Sequence, residues 1–377
     1  MIGTEIVVVG GARTPIGRAY KGSLAGVDAF ELARVAVSAA VERARVPVDE
    51  LDDIILAEGM QGGGVIARHV AIDLGLIGVP GIAVNRHCAA SLSAVQLAAG
   101  SIAAGMDRAV VAGGTESIST APVLMRGDAR WWPPTHVDSP EAPNRDMSIT
   151  VGENTARIAG VTREEADTWA LHSHLRAAAA VAEGRFDDEI VPVGSFTRDE
   201  HPRADTSMER LAALPVLHPE LPGATVTAGN AAGLNDAASA VVVTSADFAR
   251  VHGLTPMARI VSWASVGVDP VCTGLAPTVV IPKALERAGM AIGDVDLFEI
   301  NEAMCAMAVA STRILGIDHS IANVNGSGCG LGHPVAATGT RMLLTNMHEL
   351  RRRGGTIGCV AMCAGGGMGS ALVFELL

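Results

Sequence analysis

Residues 81–112 read GIAVNRHCAASLSAVQLAAGSIAAGMDRAVVA. Gly81 to Asn85 is a strand-like run, Ser91 to Gly105 an Ala-rich helix closed by a glycine, and Arg108 to Ala112 a second buried strand. Cys88 stands between the first strand and the helix. Strand, helix and strand in this order predict a parallel pair with the helix laid across the sheet. The same grammar continues outward, with Glu5 to Val9, Ala29 to Ala44 and Asp53 to Glu58 upstream. Downstream it returns as Ala237 to Thr244, Arg259 to Val266, the helix Val279 to Ala288 and the strand Leu297 to Ile300. Between them, Ser117 to about Gly233 reads as a loop-rich insertion: Pro133, Pro134, Pro140, Pro143, the adjacent Trp131 and Trp132, and helical pieces such as Arg163 to Glu183. Two halves of similar order suggest a duplication, although no repeat is visible in the sequence itself. The site then belongs at the seam, where loops following strands of both halves meet.

Composition narrows the function. At 377 residues the chain exceeds one usual core, so two domains or a duplicated unit is expected. Hydrophobic residues make up 49% and charged residues 18%, yet no apolar run reaches membrane-spanning length. A net charge of −12 argues against a nucleic-acid surface. The run Arg351 to Arg353 before Gly354 reads as the basic last turn of a helix. Met1 to Gly10 runs straight into a strand without a signal or transit pattern, so the cytoplasm is the expected compartment. Six cysteines are accordingly expected as free thiols. Forty-three glycines against one Tyr and six Phe describe closely approaching backbones. Asp49, Glu50, Asp52 and Asp53, and the mixed run Arg185 to Glu189, read as solvated helix ends. Trp131 and Trp132 read as a binding platform or an oligomer contact.

Three short motifs carry chemistry. In Asn85 to Leu92 the position of Cys88 at a helix start should lower its thiol pKa, the alternative being an inert buried cysteine. Gly330 to Pro334 presents His333 on a glycine loop, as a catalyst or as a turn residue. Cys359 to Gly369 is a strand ending at Cys363 and then a glycine run, whose amides can form an oxyanion hole or merely a turn. Cys359 and Cys363 lack C-x-x-C spacing and a second pair, which disfavours zinc, and no Lys-Ser/Thr follows the glycines to bind phosphate. Together the motifs supply the nucleophile, base and acid that thioester chemistry needs.

With these residues in view the chain resembles the thiolase family along nearly its whole length. The resemblance rests on ARTPIG (Ala12 to Gly17), the Cys88 segment, AGGTES (Ala112 to Ser117), VTAGNAAGLND (Val226 to Asp236) and GVDP (Gly267 to Pro270). It rests further on NEA (Asn301 to Ala303), NVNG (Asn323 to Gly326), GHP and CAGGG. It implies an α/β five-layer αβαβα fold of two similar halves. Residues 1–117 with 234–255 would form the N-terminal half, 118–233 a loop domain over coenzyme A, and 256–377 the C-terminal half. It also implies a homodimer or homotetramer and CoA thioesters as substrates, with no permanently bound cofactor, no metal, and no nucleic-acid or membrane partner.

By the same resemblance, Cys88 carries the acyl group, His333 activates it, and Cys363 moves the α-proton of acetyl-CoA. Asn301 would fix a water beside His333, and the amides of Cys88 and Gly365 would form the second oxyanion hole. Ala228, Gly229, Ala232, Thr273 and Met304 would border the CoA ester. Departures from the commoner pattern concern the substrate. They are Met304 after NEA, Ala232 in place of Ser, Thr273 in place of Met, and no His-Met-Gly in Met147 to Asn154. Cys329 reads as a packing thiol. The expectation is degradative cleavage of a 3-ketoacyl-CoA longer or bulkier than acetoacetyl-CoA. The rivals are a biosynthetic acetoacetyl-CoA enzyme, a ketoacyl synthase, which would need a second histidine where Cys363 stands, and a non-catalytic acyl-CoA or lipid binder.

Overall fold

The computed structural model describes residues 4–61 and 65–377; the first three residues of the Met1 to Gly10 stretch lie outside them. Among the described residues, nine strands of three or more residues run in chain order as β1 (Ile6–Arg13), β2 (Asp53–Glu58), β3 (Ile82–Val84), β4 (Ala109–Ser117), β5 (Asn235–Ser245), β6 (Ala258–Gly267), β7 (Leu297–Ile300), β8 (Ile357–Ala364) and β9 (Met368–Leu376). The longer helices are α1 (Ala29–Ala44), α2 (Ile66–Asp73), α3 (Ala90–Ala103), α4 (Arg163–Ala182), α5 (Ala276–Ala288), α6 (Cys305–Leu315) and α7 (Thr338–Arg353). The strands form one sheet in the order β7-β8-β9-β6-β1-β5-β4-β2-β3, with the short strand Gly17–Arg18 added on β5.

The duplication is plain in this order. From the centre outward, one half runs β1, β5, β4, β2, β3, and the other runs β6, β9, β8, β7 and then a parallel bridge from Phe298 to Ala322. The opening strands meet at the centre through only two residue pairs, Val7 with Arg259 and Val8 with Ala258. Strand alternation sorts the apolar side chains into layers. Val7 and Val9 face α1 and α2, while Ile6 and Val8 face α3 and α7 together with Val360, Met362 and Leu372 of the other half. Cys359, Ala361 and Val373 face α5 on the far side. The five layers are therefore α1/α2, sheet, α3/α7, sheet, α5/α6. The central pair α3/α7 is largely buried; α3 is apolar around most of its circumference, whereas α7 buries Thr338, Thr340, Arg341, Thr345, Asn346 and Glu349 beside its Leu and Met residues.

Three sequence expectations need correction. The sheet is mixed: β2 pairs in parallel with β3 and β4, and β7 with β8, but β5 lies antiparallel between β1 and β4, and β9 antiparallel between β8 and β6. The last strand of each half follows an insertion or a tight glycine turn instead of a crossover helix, so nothing forces it parallel. Strand β4 runs five residues past Ala112. Gly113 and Gly114 do not end it, because a Cβ there would lie 2.1 Å from Ser239 O and 1.9 Å from Ala336 O; these glycines let strand and loop touch. Glu189, read within a solvated run, is buried and ion-paired at 2.6 Å with Arg13, which also grips Asp199. Burying Arg13 requires paired carboxylates inside. The basic turn Arg351 to Arg353 is as expected, with Arg352 and Arg353 on Glu349 and Gly354 in the left-handed region. Among the described residues, no helix is long and apolar enough to cross a membrane.

Candidate active site

The equivalent seam loops of the two halves converge. Cys88 follows β3 and leads into α3, while His333 follows the Ala322 bridge and leads into α7. Ahead of Cys88 the chain makes a strained turn, with His87 at φ +47°, a conformation that costs about 1–2 kcal/mol for a side-chain-bearing residue. Asn85 holds it by accepting from His87 N at 2.8 Å, and Ala89 N and Ala90 N donate back to Arg86 O and His87 O. Arg86 anchors the turn on Ser93 and Ser265, each at 2.7 Å.

Two backbone amides, those of Gly365 and of Cys88 itself, lie near the Cys88 sulfur and favour its thiolate. Gly365 opens the β8–β9 hairpin turn, where Gly366 and Gly367 adopt φ of +85° and +74°. A Cβ on Gly367 would stand 2.3 Å from Val268 O, so the turn is closed to any larger residue. Thr273 braces it from below, accepting from Gly367 N at 3.1 Å and donating to Pro270 O at 2.7 Å. The glycine run is thus both a turn and the source of one of the two amides near the sulfur. Cys363, at the end of β8, is close enough to Cys88 for that sulfur to raise its cost of ionisation.

His333 is held at three points. Its backbone N donates to Asn235 Oδ1 at 2.9 Å, its Nδ1 lies 2.7 Å from Thr338 Oγ1, and its Nε2 lies 3.4 Å from Asn301 Nδ2. Asn301 Oδ1 is buried and has no protein partner among the described residues, so it can accept from a water or a ligand hydroxyl. Glu302 fixes the loop behind it, accepting from Trp169 Nε1, Ser173 Oγ, Asn323 Nδ2 and the amides of Ser327 and Cys329. Gly328 makes room, since a Cβ there would lie 2.5 Å from Asn301 Oδ1.

The electrostatics correct one expectation. Burial pushes the Cys88 thiol up to about 11, helped by the nearby Glu116, and the two amides only partly offset it. The closed, low-dielectric site outweighs the helix start. Burial, with Arg341 nearby, lowers His333 to about 3. Cys363 is raised well above an ordinary thiol, first by burial. At neutral pH the resting site therefore holds neutral thiols and a neutral imidazole, so proton transfer must accompany attack on the substrate. Glu116, buried and accepting from Met60 N, Gln61 Nε2 and Ala336 N, is itself raised to about 7 by burial.

Around this centre, Ala232 N donates to Ala303 O at 2.9 Å, and Met304 bridges to Ala231. Met304 and Met147 flank the site's edge: Met304 Cγ lies 3.2 Å from a Cβ built on Gly152, and Met147 Sδ 3.2 Å from one built on Gly365. Gly229 is buried against Leu211 and Leu214, whereas Ala228 is exposed on the same loop. Trp131 and Trp132 line a cavity of about 560 Å³ with Gln61, Leu124 and Arg130, and its wall also includes Asn85 and His87 of the Cys88 turn. Sequence reasoning passed over Glu116, Glu302, Asn235 and Thr338. All four sit inside or beside quoted motifs, and only the fold turns them inward.

The Thiolase, N-terminal domain family matches residues 6–247, and the Thiolase, C-terminal domain family residues 254–376. The chain is 41% identical to an acetyl-CoA acetyltransferase of Escherichia coli (strain K12), covering 98% of this chain and 99% of that one. It is 39% identical to a 3-ketoacyl-CoA thiolase of Bacillus subtilis (strain 168), covering 99% of each. The crystal structure of human mitochondrial 3-ketoacyl-CoA thiolase in complex with CoA superposes with a TM-score of 0.91 at 34% identity, covering 99% of this chain and 98% of that one. Matched in both halves by sequence and over its full length by fold, the chain belongs to the thiolase family of acyltransferases.

Proposed function

We propose that this acyltransferase cleaves a 3-ketoacyl-CoA with coenzyme A, giving acetyl-CoA and a shortened acyl-CoA, reversibly and mainly in the degradative direction. His333 Nε2 takes the Cys88 proton as the sulfur attacks the 3-keto carbon. The amides of Cys88 and Gly365 hold the resulting oxyanion; donors of this kind are each worth about 3 to 4 kcal/mol in comparable sites. The carbon–carbon bond then breaks, leaving the acyl group on Cys88 and acetyl-CoA as an enolate. His333 and a water held by Asn301 stabilise the enolate oxygen, and Cys363 protonates its carbon. The CoA thiol passes its proton to the Cys363 thiolate and attacks the acyl-cysteine, which releases the shortened acyl-CoA, and His333 returns its proton to the Cys88 sulfur. The covalent stage splits one hard exchange into two easier ones.

The observation that carries this reading is the presence of two amides from opposite halves near one cysteine sulfur, with a second thiol beside it. The substrate part is supported by the departures around the acyl side. Asp146 precedes Met147 and binds Ser148, and Ser148 in turn lies 2.6 Å from His218 Nε2, so this edge is rebuilt relative to His-Met-Gly. Ala228, Gly229, Ala232, Thr273 and Met304 border the CoA ester on this reading, with Thr273 acting through the Gly367 turn. The enzyme works in the cytoplasm as a homodimer or homotetramer; the open edge at β3, where Ile82 is exposed, supports association.

Thiolysis rates across a chain-length and branched series test it. Longer or branched substrates should exceed acetoacetyl-CoA. A strong preference for acetoacetyl-CoA would instead favour the biosynthetic reading, which the acetyl-CoA acetyltransferase relative supports. Cys88→Ser should abolish turnover yet still bind the CoA ester, and unchanged activity removes the mechanism. Cys363→Ala should still be acylated at Cys88 while losing α-proton exchange.

A further inference from the structure

Cys305 and Cys329 are both fully buried and share one cluster with Trp169 and Leu211. Cys305 opens α6, four residues after Asn301, and Cys329 lies in the short helix Gly328–Leu331, four residues before His333. One loop touches both: Asn230 O accepts from Cys305 N at 2.8 Å, and Cys329 Sγ lies 3.6 Å from Gly229 O and 3.9 Å from Ala231 O. The two thiols are neighbours that perturb each other's ionisation, and His174 lies beside the Cys329 sulfur. Yet His174 Nδ1 is buried with no partner among the described residues, and its ring stacks on His201 with centroids 6.1 Å apart.

A packing thiol needs none of this, since a free cysteine ordinarily serves as a small apolar filler. The neighbouring Cys305 and His174 lower the Cys329 thiol. One ready nucleophile, one resolving thiol and an imidazole able to carry a proton are the parts of a redox couple.

We propose that Cys305 and Cys329 form a redox-active dithiol that a peroxide closes to a disulfide, with His174 as proton carrier, and that closure switches the enzyme off. The Cys329 thiolate attacks one peroxide oxygen, having passed its proton to His174. The O–O bond breaks, and the departing hydroxide takes that proton and leaves as water. Cys329 becomes a sulfenic acid. The Cys305 sulfur then attacks it, and the hydroxyl leaves as a second water with the Cys305 proton relayed through His174. Two thiols and one peroxide give one disulfide and two waters; the sulfurs lose the two electrons that the peroxide gains. The new bond, about 2.05 Å, is far shorter than a non-bonded contact between two thiols. It draws the start of α6 toward Gly328–Leu331, and these two elements carry Asn301 and His333, already at the 3.4 Å limit of contact. Intracellular disulfides of this kind are typically catalytic or sensory.

The test uses the full chain carrying Cys88→Ser and Cys363→Ser, treated with hydrogen peroxide and digested without reduction. Mass spectrometry should find the peptides of residues 305 and 329 linked, the link vanishing on dithiothreitol treatment or when Cys329→Ser is added. Two free thiols, or each sulfur oxidised separately to sulfinic acid, overturn the proposal. In the otherwise native chain, Cys305→Ala should keep turnover within about twofold before oxidation. Peroxide should then cost the native chain on the order of tenfold more dithiothreitol-recoverable activity than this variant. Equal recoverable losses in the two overturn the switch.

Discussion

His333 Nδ1 lies 2.7 Å from Thr338 Oγ1, and that hydroxyl spends its one proton on Pro334 O at 2.8 Å. The hydroxyl can therefore only accept from His333, so Nδ1 carries the imidazole proton. Nε2 is left with its lone pair turned toward Asn301, which makes it the base. Thr338 is thus a positioning residue that acts through the histidine.

Thr338→Val keeps the shape and removes the acceptor. It leaves a buried Nδ1–H unsatisfied, a loss of about 1–3 kcal/mol, and frees the ring to adopt the wrong tautomer. The expected outcome is a fall in kcat of about tenfold or more with little change in KM for the CoA ester. Thr338→Ser should restore most of it. Steady-state kinetics with both variants decide the matter, and a Thr338→Val enzyme of native kcat would remove Thr338 from the mechanism.

Much of this site was legible in the chain because its parts sit where apolar runs stop. Cys88, Asn301, His333 and Cys363 each follow a strand or a glycine loop, and the fold brings Cys363 to Cys88 and Asn301 to His333. What was illegible depended on contacts between distant segments. In the sequence the strand reads only as far as Ala112, and Gly113 and Gly114 continue it as contact points with Ser239 and Ala336. Glu189 looked solvated because nothing in its neighbourhood announces Arg13, 176 residues away. The helix start at Cys88 predicted a lowered thiol, and only the packed layers reveal that desolvation wins. Cys329 looked like a filler and Cys305 drew no reading of its own, since their adjacency depends on how the loops carrying Asn301 and His333 fold together.

The raised Cys88 and lowered His333 make a definite prediction about pH. An ion pair at rest would make alkylation of Cys88 independent of pH above about 6 or 7. A thiol near 11 beside an imidazole near 3 means the thiolate fraction grows tenfold per pH unit across the neutral range. The rate of iodoacetamide labelling of Cys88 should therefore rise steadily from pH 6.5 to beyond pH 9 without a plateau. Because the Glu116 charge opposes the thiolate, Glu116→Gln should speed labelling several-fold at pH 8, where the native carboxyl, near 7, is mostly ionised, and should do little at pH 5.5. The same residue is linked to stability. Its folded pKa is raised, so its contribution is present below the unfolded value of about 4.5 and is lost as pH rises through 7. Between pH 5 and 8 the native Tm should consequently drop more than that of Glu116→Gln. Parallel Tm profiles, or labelling that plateaus near neutrality, would contradict the assigned charges.

Gly328 is the remaining lever on Asn301. A Cβ at this position would approach Asn301 Oδ1 to 2.5 Å while standing 3.2 Å from the Glu302 backbone, so the mobile end of the asparagine is what must yield. Glu302, with its five donors, holds the loop itself in place. Gly328→Ala should therefore preserve the fold, with Tm lowered by only a few degrees, while turning the amide away from His333 Nε2. If Asn301 fixes the water that steadies the enolate, kcat and α-proton exchange should fall together by about ten- to a hundredfold. Acylation of Cys88 by a substrate needs only the other pair of donors and should survive, visible as the acyl mass on the intact protein. A variant that loses acylation and exchange equally would mean that the substitution had disturbed the whole seam, whereas undiminished exchange would separate Asn301 from the enolate step.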